Sequence, residues 1–297
     1  MGSIAQFPYN VYPGLSKNIF AEAKRLPLIY PEIFRVEPTE RWYEEHNTEV
    51  GFGLFAETAE EDKYHQDEMF QGFYTRYQLR KFTKFFRVTE DMIEFDQYLK
   101  MGDRARDLGN KGRSTEDVVA HETYNQAFTT NLADGTPLAS TSHPGYVGSG
   151  ASFSNVLNPQ ASLSFTSFNA LITSIQTMVD ERGTLAMFIP RKLFCHPASQ
   201  LAALEILKSY TRPDTANRVD NMVKKRVGEM ELVSDPYLTS TTMWGILCDV
   251  YYVFCYRHGG LRTRYERDIF NADYLVFGKF YLSSSASHYL GIFFGSQ

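Results

Sequence analysis

An α+β fold is what this 297-residue sequence predicts, and three observations carry the prediction. Apolar and polar residues alternate on both sides of an acidic stretch within residues 48–82, the period-two signature of two strands. Residues 163–183, "LSFTSFNALITSIQTMVDERG", repeat apolar side chains every three or four positions, as an amphipathic helix does. Three later runs rich in β-formers, "VGEMELVSD", "TMWGILCDV" and "YYVFCYRHG", read as strands.

Residues 1 to about 40 read as an extended arm. Pro8, Pro13, Pro27, Pro31 and Pro38 interrupt every helical period, and Ile19, Phe20, Leu28, Ile29 and Phe34 are too scattered to build a core. Such an arm must lie on its own body or on a neighbouring chain. In the next segment Val50, Phe52, Leu54 and Ala56 alternate with Gly51, Gly53 and Phe55. On the return, Phe73, Thr75, Tyr77 and Leu79 alternate with Tyr74, Arg76, Gln78 and Arg80. Between them Glu57, Glu60, Glu61, Asp62, Lys63, Asp67 and Glu68 make a solvated, acidic tip. Arms of roughly ten residues reach about 30 Å. An isolated two-stranded hairpin is marginal in water, so this one is expected to lie on a neighbour.

Thr89 is placed to cap a short helix carrying Met92, Ile93 and Phe95. Tyr98, Met101, Ala105, Leu108, Thr115 and Val119 then form one stripe of a long helix spanning 97–128. Gly102, Gly109 and Gly112 weaken it by about 1 kcal/mol each. They leave room for a break at 109–112, and Ser114 with Asp117 is an alternative cap for a second helix. In the 163–183 helix Ser164 is the expected N-cap and Gly183 the expected residue just past the end. "LAMFIPRKLFCHP" reads as a buried strand, "ASQLAALEILKS" as a helix and "YTRPDTANRVDNMVKKR" as a polar loop. "LRTRYERDIFNADYLVFGKFYLS" supplies two more strands.

Composition narrows the function classes. With 43% hydrophobic and 22% charged residues the chain is a folded one. No apolar run approaches the roughly 20 residues of a membrane helix, and the first residues lack the pattern of a secretory signal. Cys195, Cys248 and Cys255 are too few for a disulfide framework and fit no zinc spacing, so they are expected as buried reduced thiols. A net charge of -5 is not that of a free-standing nucleic-acid binder, so any DNA contact is local or made by the geometry of an assembly. Aromatic residues reach 15%, a level that suits strands and protein interfaces alike.

"LADGTPLASTSHPGYVGSG" gathers Asp134, Ser140, Ser142 and His143, the letters of a hydrolytic triad. Triads are assembled from distant residues by packing, however, and no G-x-S-x-G elbow exists in the chain. Asp134-Gly135, Pro137 and His143-Pro144 mark the segment as a turn-rich loop. The acidic run 57–68 offers paired carboxylates, but at a hairpin tip no pocket would desolvate them. His46, His65, His121, His196, His258 and His288 stand apart in sequence with no H-E-x-x-H pair. No catalytic, cofactor-binding or metal-binding residue is therefore assigned. Arg80, Lys81, Lys84 and Arg87 form a basic row among aromatics, which admits contact with nucleic acid or with an acidic neighbour.

Taken in order, these elements resemble a known family: arm, acid-tipped hairpin, "VTEDMIEFD", long helix, "DGTPLASTSHP", the "NPQASLSFTSFNAL" helix, "IPRKLFCHPASQLAALEILKS", "TMWGILCD", a final strand pair and "GIFFGS". The series resembles the major capsid proteins of tailed bacteriophages, with their Hong Kong phage-type shell fold. The "DG-x-x-L-x-S-x-x-HP" loop is similar to that of the Mu-like major head proteins. The match runs from about residue 45 to the C-terminus.

The resemblance implies an N-terminal arm over 1–44 and an extended hairpin, the E-loop, over 45–82. It implies a peripheral domain with the long spine helix over 83–129 and an axial domain over 130–258. Peripheral strands over 259–285 and a return to the axial domain over 286–297 complete the division. The subunit would assemble with itself as hexamers and pentamers into an icosahedral head around double-stranded DNA, touched without sequence specificity. Portal, scaffolding and cement proteins would be further partners. Assembly would take place in the host bacterial cytoplasm and the mature location would be the virion capsid, with no membrane and no cofactor. Phe52, Phe55, Lys63, Phe70, Phe73 and Tyr77 would lie at the E-loop interface, Phe52, Phe70, Phe73 and Tyr77 burying more surface between subunits than within one. Arg80, Lys84 and Arg87 would face a neighbour, and Arg212, Asp214, Arg218 and Lys224 would sit in a loop at the capsomer centre. Many relatives carry a removable scaffolding segment, here expected as a separate protein or a cleaved precursor piece. Some join Lys and Asn side chains covalently; Lys63 is at the tip, but no Asn partner or catalytic Glu is matched. A nanocompartment shell of the same fold, enclosing protein, is the alternative, and an aromatic-rich hydrolase a more distant one.

Overall fold

Two stretches of the proline-rich opening, expected to be extended, are helical. In the computed structural model, which describes residues 12–25, 27–60, 63–95, 98–146, 150–209, 221–228, 230–268, 271 and 273–296, Tyr12–Arg25 forms a 14-residue helix, α1. Pro13 falls in its first turn, where a missing N–H costs nothing, and no other proline intervenes before Pro27. One further turn, α2 (Tyr30–Ile33), again has its proline in the first turn. β1 (Arg35–Pro38) follows. The arm is fastened to its own body: Asp117 accepts hydrogen bonds from the Ile29 and Tyr30 amides at 3.0 and 3.1 Å. The Tyr124 hydroxyl donates to the Ile33 carbonyl at 2.8 Å.

The hairpin pairs β2 (Tyr43–Val50) with β3 (Phe70–Gln78). Its return leg alternates as read, with Thr75, Tyr77 and Leu79 inside and Tyr74, Arg76, Gln78 and Arg80 outside. The outgoing leg does not. The strand ends where it was expected to begin, and Phe52, Leu54 and Ala56 follow in irregular chain. A bulge sets this register. Gly72 and Phe73 oppose Thr48, whose hydroxyl is bonded to both the amide and the carbonyl of Phe73.

β4 (Arg80–Val88) leads to the short helix α3 (Glu90–Glu94), where the Met92 amide donates to Thr89 Oγ1 at 3.4 Å. α4 (Tyr98–Asn125) is one unbroken helix of 28 residues. Its glycines are contact points. A Cβ at Gly109 would collide with the Ile19 carbonyl, so α1 crosses α4 there at backbone distance. β5 (His143–Pro144) and β6 (Ser152–Phe153) pair briefly. α5 (Phe165–Thr177) starts at Ser164 through a reciprocal capping box with Ser167. It ends at Thr177, well before Gly183, which serves a separate turn at φ +81°.

β7 (Pro190–Cys195) and α6 (Gln200–Lys208) lie where expected. α7 (Met222–Val227), capped by Asn221, occupies part of the stretch read as loop. Then come β8 (Glu231–Ser234), β9 (Trp244–Cys248), β10 (Val253–Arg257), β11 (Arg262–Arg267), β12 (Tyr274–Ala286) and β13 (Ile292–Ser296). The long β12 organises one sheet. β4 runs along one edge of it, β11 and β10 along the other, and β1 adds to β10 in parallel. The second sheet is ordered β13-β9-β7-β8, with only β7 and β8 parallel.

Burial follows this plan. Ile19, Met101, Ala105, Leu108 and Val276 pack α1 and α4 on the β12 sheet. Phe168, Ile172, Ile175, Leu193, Trp244 and Phe293 join α5 to the second sheet. Tyr30, Phe34, Tyr124, Phe194, Leu282 and Phe294 fill the space where both sheets meet α4. The three cysteines are free and buried, and burial pushes their thiols up.

Candidate functional site

The triad-like loop is a structural knot. His143 is fully buried. Its Nδ1 lies 2.8 Å from both Asp134 Oδ2 and Thr136 Oγ1, and its Nε2 lies 3.2 Å from Asn155 Oδ1. Its ring stacks on Tyr289 with centroids 4.1 Å apart. Burial alone would raise the Asp134 carboxyl, but hydrogen bonds from His143 and Thr136 hold it below the usual range. Ser140 and Ser142 are not among the partners of His143; they contact each other at 3.4 Å. Asn155 donates on to the Leu138 and Ile292 carbonyls, stitching the loop to β13. Neither serine hydroxyl is placed for activation by the imidazole.

Several histidines that stand apart in sequence are paired in space. His121 and Asp235 approach to 2.6 Å, both fully buried. Burial keeps His46 below its ordinary range, and its Nε2 lies 2.5 Å from the Tyr256 hydroxyl. Among the described residues no group of three His, Cys, Asp or Glu side chains is gathered to hold a metal ion. Nor is any helix among them long and apolar enough to cross a membrane.

What the chain presents to its surroundings is the hairpin. Phe52, Leu54, Phe55 and Tyr64 are 64, 82, 106 and 97% exposed, and Lys63 lies exposed among them. Phe70 is partly exposed and stacks on Tyr146 at 4.6 Å, while Phe73 is half-buried. Tyr77 is a correction. At 1% exposure it is already inside the chain, packed with His46, Phe254 and Tyr256, and has no surface left to give a neighbour. The exposed Trp42 and Tyr43 at the hairpin's root went unremarked in the sequence because polar residues surround them.

The basic row lies on β4, whose outer edge carries no strand among the described residues. Arg80 is bonded to Glu122 at 2.7 Å, and Arg87 lies 3.4 Å from Asp273 and 3.9 Å from Asp268, so two of the row have partners at home. Lys81 and Lys84 are exposed, and charges on an open edge discourage unwanted strand pairing. Arg212, Asp214 and Arg218 lie outside the described residues. Lys224 is on α7, where its Nζ donates to the Lys208 carbonyl at 3.1 Å.

Comparison with known proteins places this geometry. Residues 73–278 match the model of a family described as phage capsid protein. No curated protein matches the chain. Among solved structures the chain is similar to a virus-like particle from Pyrococcus furiosus, with a TM-score of 0.55 at 10% identity, over 96% of this chain and 99% of that one. It is similar to Microbacterium phage Oxtober96, with a TM-score of 0.55 at 9% identity, over 91% of each chain. It is also similar to the capsid of a native GTA particle, with a TM-score of 0.53 at 11% identity, over 91% of this chain and 90% of that one. The fold is thus the Hong Kong phage type expected from the order of its elements.

Proposed function

This chain belongs to the phage capsid protein family, and we propose that it is the major subunit of a tailed-phage head, assembling as hexamers and pentamers around double-stranded DNA. Its role is that of a structural capsid protein. The observation that carries the finer reading is the hairpin, with Phe52, Leu54, Phe55 and Tyr64 exposed on a ribbon that the chain's own body does not cover. Water-exposed aromatics at that density need a partner surface. The most economical partner is a second copy, with the hairpin as E-loop across it. The axial domain would then hold 130–258 and bring the loop near Lys224 to the capsomer centre. The Mu-like branch, portal, scaffolding and cement partners, and assembly in a bacterial cytoplasm belong to the same proposal.

A compartment shell that encloses protein is the second reading, supported by the likeness to the Pyrococcus particle over nearly both full lengths. One experiment separates the two. The protein is purified from its native source and imaged by electron microscopy, and the particle contents are measured. Closed shells protecting long double-stranded DNA from nuclease support the head. Shells holding a protein cargo and no DNA support the compartment. A persistent monomer under all assembly conditions overturns both.

A further inference from the structure

Where its ladder ends, the hairpin meets a side chain from a distant turn, beside the Phe70–Tyr146 stack. Arg182 stands in the tight turn 180–184. There Asp180 Oδ1 accepts from the Arg182 and Thr184 amides at 2.9 and 2.8 Å, and Gly183 takes a positive φ. From that turn the guanidinium reaches both legs of the ribbon. Its Nε donates to the Gly51 carbonyl at 2.9 Å, and a terminal nitrogen donates to the Glu68 carbonyl. It lies 3.5 Å from the Asp67 carboxylate and 4.2 Å over the Phe70 ring. The side chain is only 15% exposed.

The position of this contact is as telling as its chemistry. The last ladder pair of the hairpin is Val50 with Phe70. Arg182 grips at the next residues outward, where strand pairing has stopped. Asp67 completes the grip by accepting from the Gly53 amide at 2.6 Å, a bond that helps hold its carboxyl below the ordinary range. Outside the grip, residues 54–60 and 63–66 are exposed. Inside it the ribbon rests on the Tyr77, Phe254 and Tyr256 cluster. Gly51, at the boundary, has no atom near the place of a side chain.

We propose that Arg182 is the latch of the hairpin: it fixes the angle at which residues 51–69 leave the body, and its release frees that segment while the rest of the fold stays intact. Arginine suits the task because a planar fork can serve two carbonyls, a carboxylate and a ring face together, which an ammonium cannot. On the shell reading, a subunit joining neighbours would exchange these contacts for others, so the latch would set when the ribbon is free to move. The latch belongs to the single chain, so its failure is separable from failure of the shell reading.

Hydrogen–deuterium exchange on the full-length, unassembled protein tests it. Arg182→Ala is expected to raise exchange at Gly53, Glu68, Phe70 and Gln71 at least about tenfold, with residues 165–177 and 244–248 unchanged. Arg182→Lys, which keeps charge and stem, is expected to show the same localised change in smaller measure. If the alanine variant loses protection in the body as well, the lysine variant decides. Unchanged exchange at the ribbon, or a rise spread evenly over the chain in both variants, overturns the latch.

Discussion

Two glycines on one helix should answer the same substitution with opposite signs. In α4, replacing Gly109 or Gly102 by Ala gains up to about 1 kcal/mol of helix propensity. At Gly102 nothing opposes the gain, since the nearest atom to a new Cβ is Asn18 Nδ2 at 3.6 Å, an ordinary contact. At Gly109 the new Cβ would overlap the Ile19 carbonyl oxygen and lie 3.1 Å from its carbon. Both are backbone atoms and cannot rotate away, so α1 must lift by on the order of an ångström. Overpacking of this kind costs about 1–3 kcal/mol, and full exposure of a buried isoleucine such as Ile19 about 1.5–3 kcal/mol. The net expectation is a loss of about 1–2 kcal/mol for Gly109→Ala and a gain of up to about 1 kcal/mol for Gly102→Ala. Urea unfolding of the unassembled subunit, followed by circular dichroism, reads both. Trypsin cleavage at Lys17 reports whether α1 has lifted. Gly109→Ala as stable as the parent, with Lys17 equally protected, would refute the docking of α1.

Asp134→Ala strips buried His143 and Thr136 of their carboxylate partner, and losing buried hydrogen bonds to a charged group should cost about 1–3 kcal/mol, read as a lower urea midpoint. His288 lies 3.3 Å from Glu181, but burial pushes its imidazole down to about 4, so the imidazole is neutral near pH 7 and the contact is not an ion pair. The unfolded chain takes up that proton below about 6.5 and the folded chain does not. Stability should therefore be full above that pH and fall by up to about 3 kcal/mol towards pH 4, a slope that His288→Gln removes. Leu54→Ser with Phe55→Ser should leave the unfolding free energy within about 0.5 kcal/mol, because both side chains are already in water. The same pair should abolish particles in electron micrographs; normal shells would end the hairpin's role as an interface.

Where a segment's partners are close in sequence, its structure was legible. The Ser164 cap, the stripe of α4 and the alternation of β3 all follow from local periodicity, and all three stand in the fold. One reading failed because a local rule was applied too widely, and another held in spite of one. Five prolines suggested an extended arm, yet Pro13 and Pro31 sit in first turns, where proline is at home. Three glycines counted against α4, yet Gly109 and Gly112 mark where other segments press close. The rest depended on distance along the chain. Nothing near His46 announces Tyr256, nothing near His121 announces Asp235, and no motif links Arg182 to Gly51. The hairpin's aromatics alternate alike on both legs, so periodicity cannot say that Tyr77 turns inward while Phe55 meets only water.

That last division bears on how folding and assembly relate in this chain. Trp244, Phe168, Phe194 and Phe294 are buried without help from another molecule, and the buried polar groups Asp117, His143 and Asn155 find their partners at home. The body therefore has the means to fold as a single copy. The ribbon beyond Gly51 has no such means, because among its described residues the side chains add exposed apolar surface and few internal bonds. Burial on a second molecule would lower the free energy of those aromatics without altering the body. Substitutions should accordingly sort by location. Those in the packed cores act on stability and leave the binding surface alone, while those at 52–60 and 63–66 act on association and leave the unfolding midpoint alone. Arg182 sits on the border between these groups, which is why exchange at the ribbon, rather than a melting curve, is the measurement that reads it.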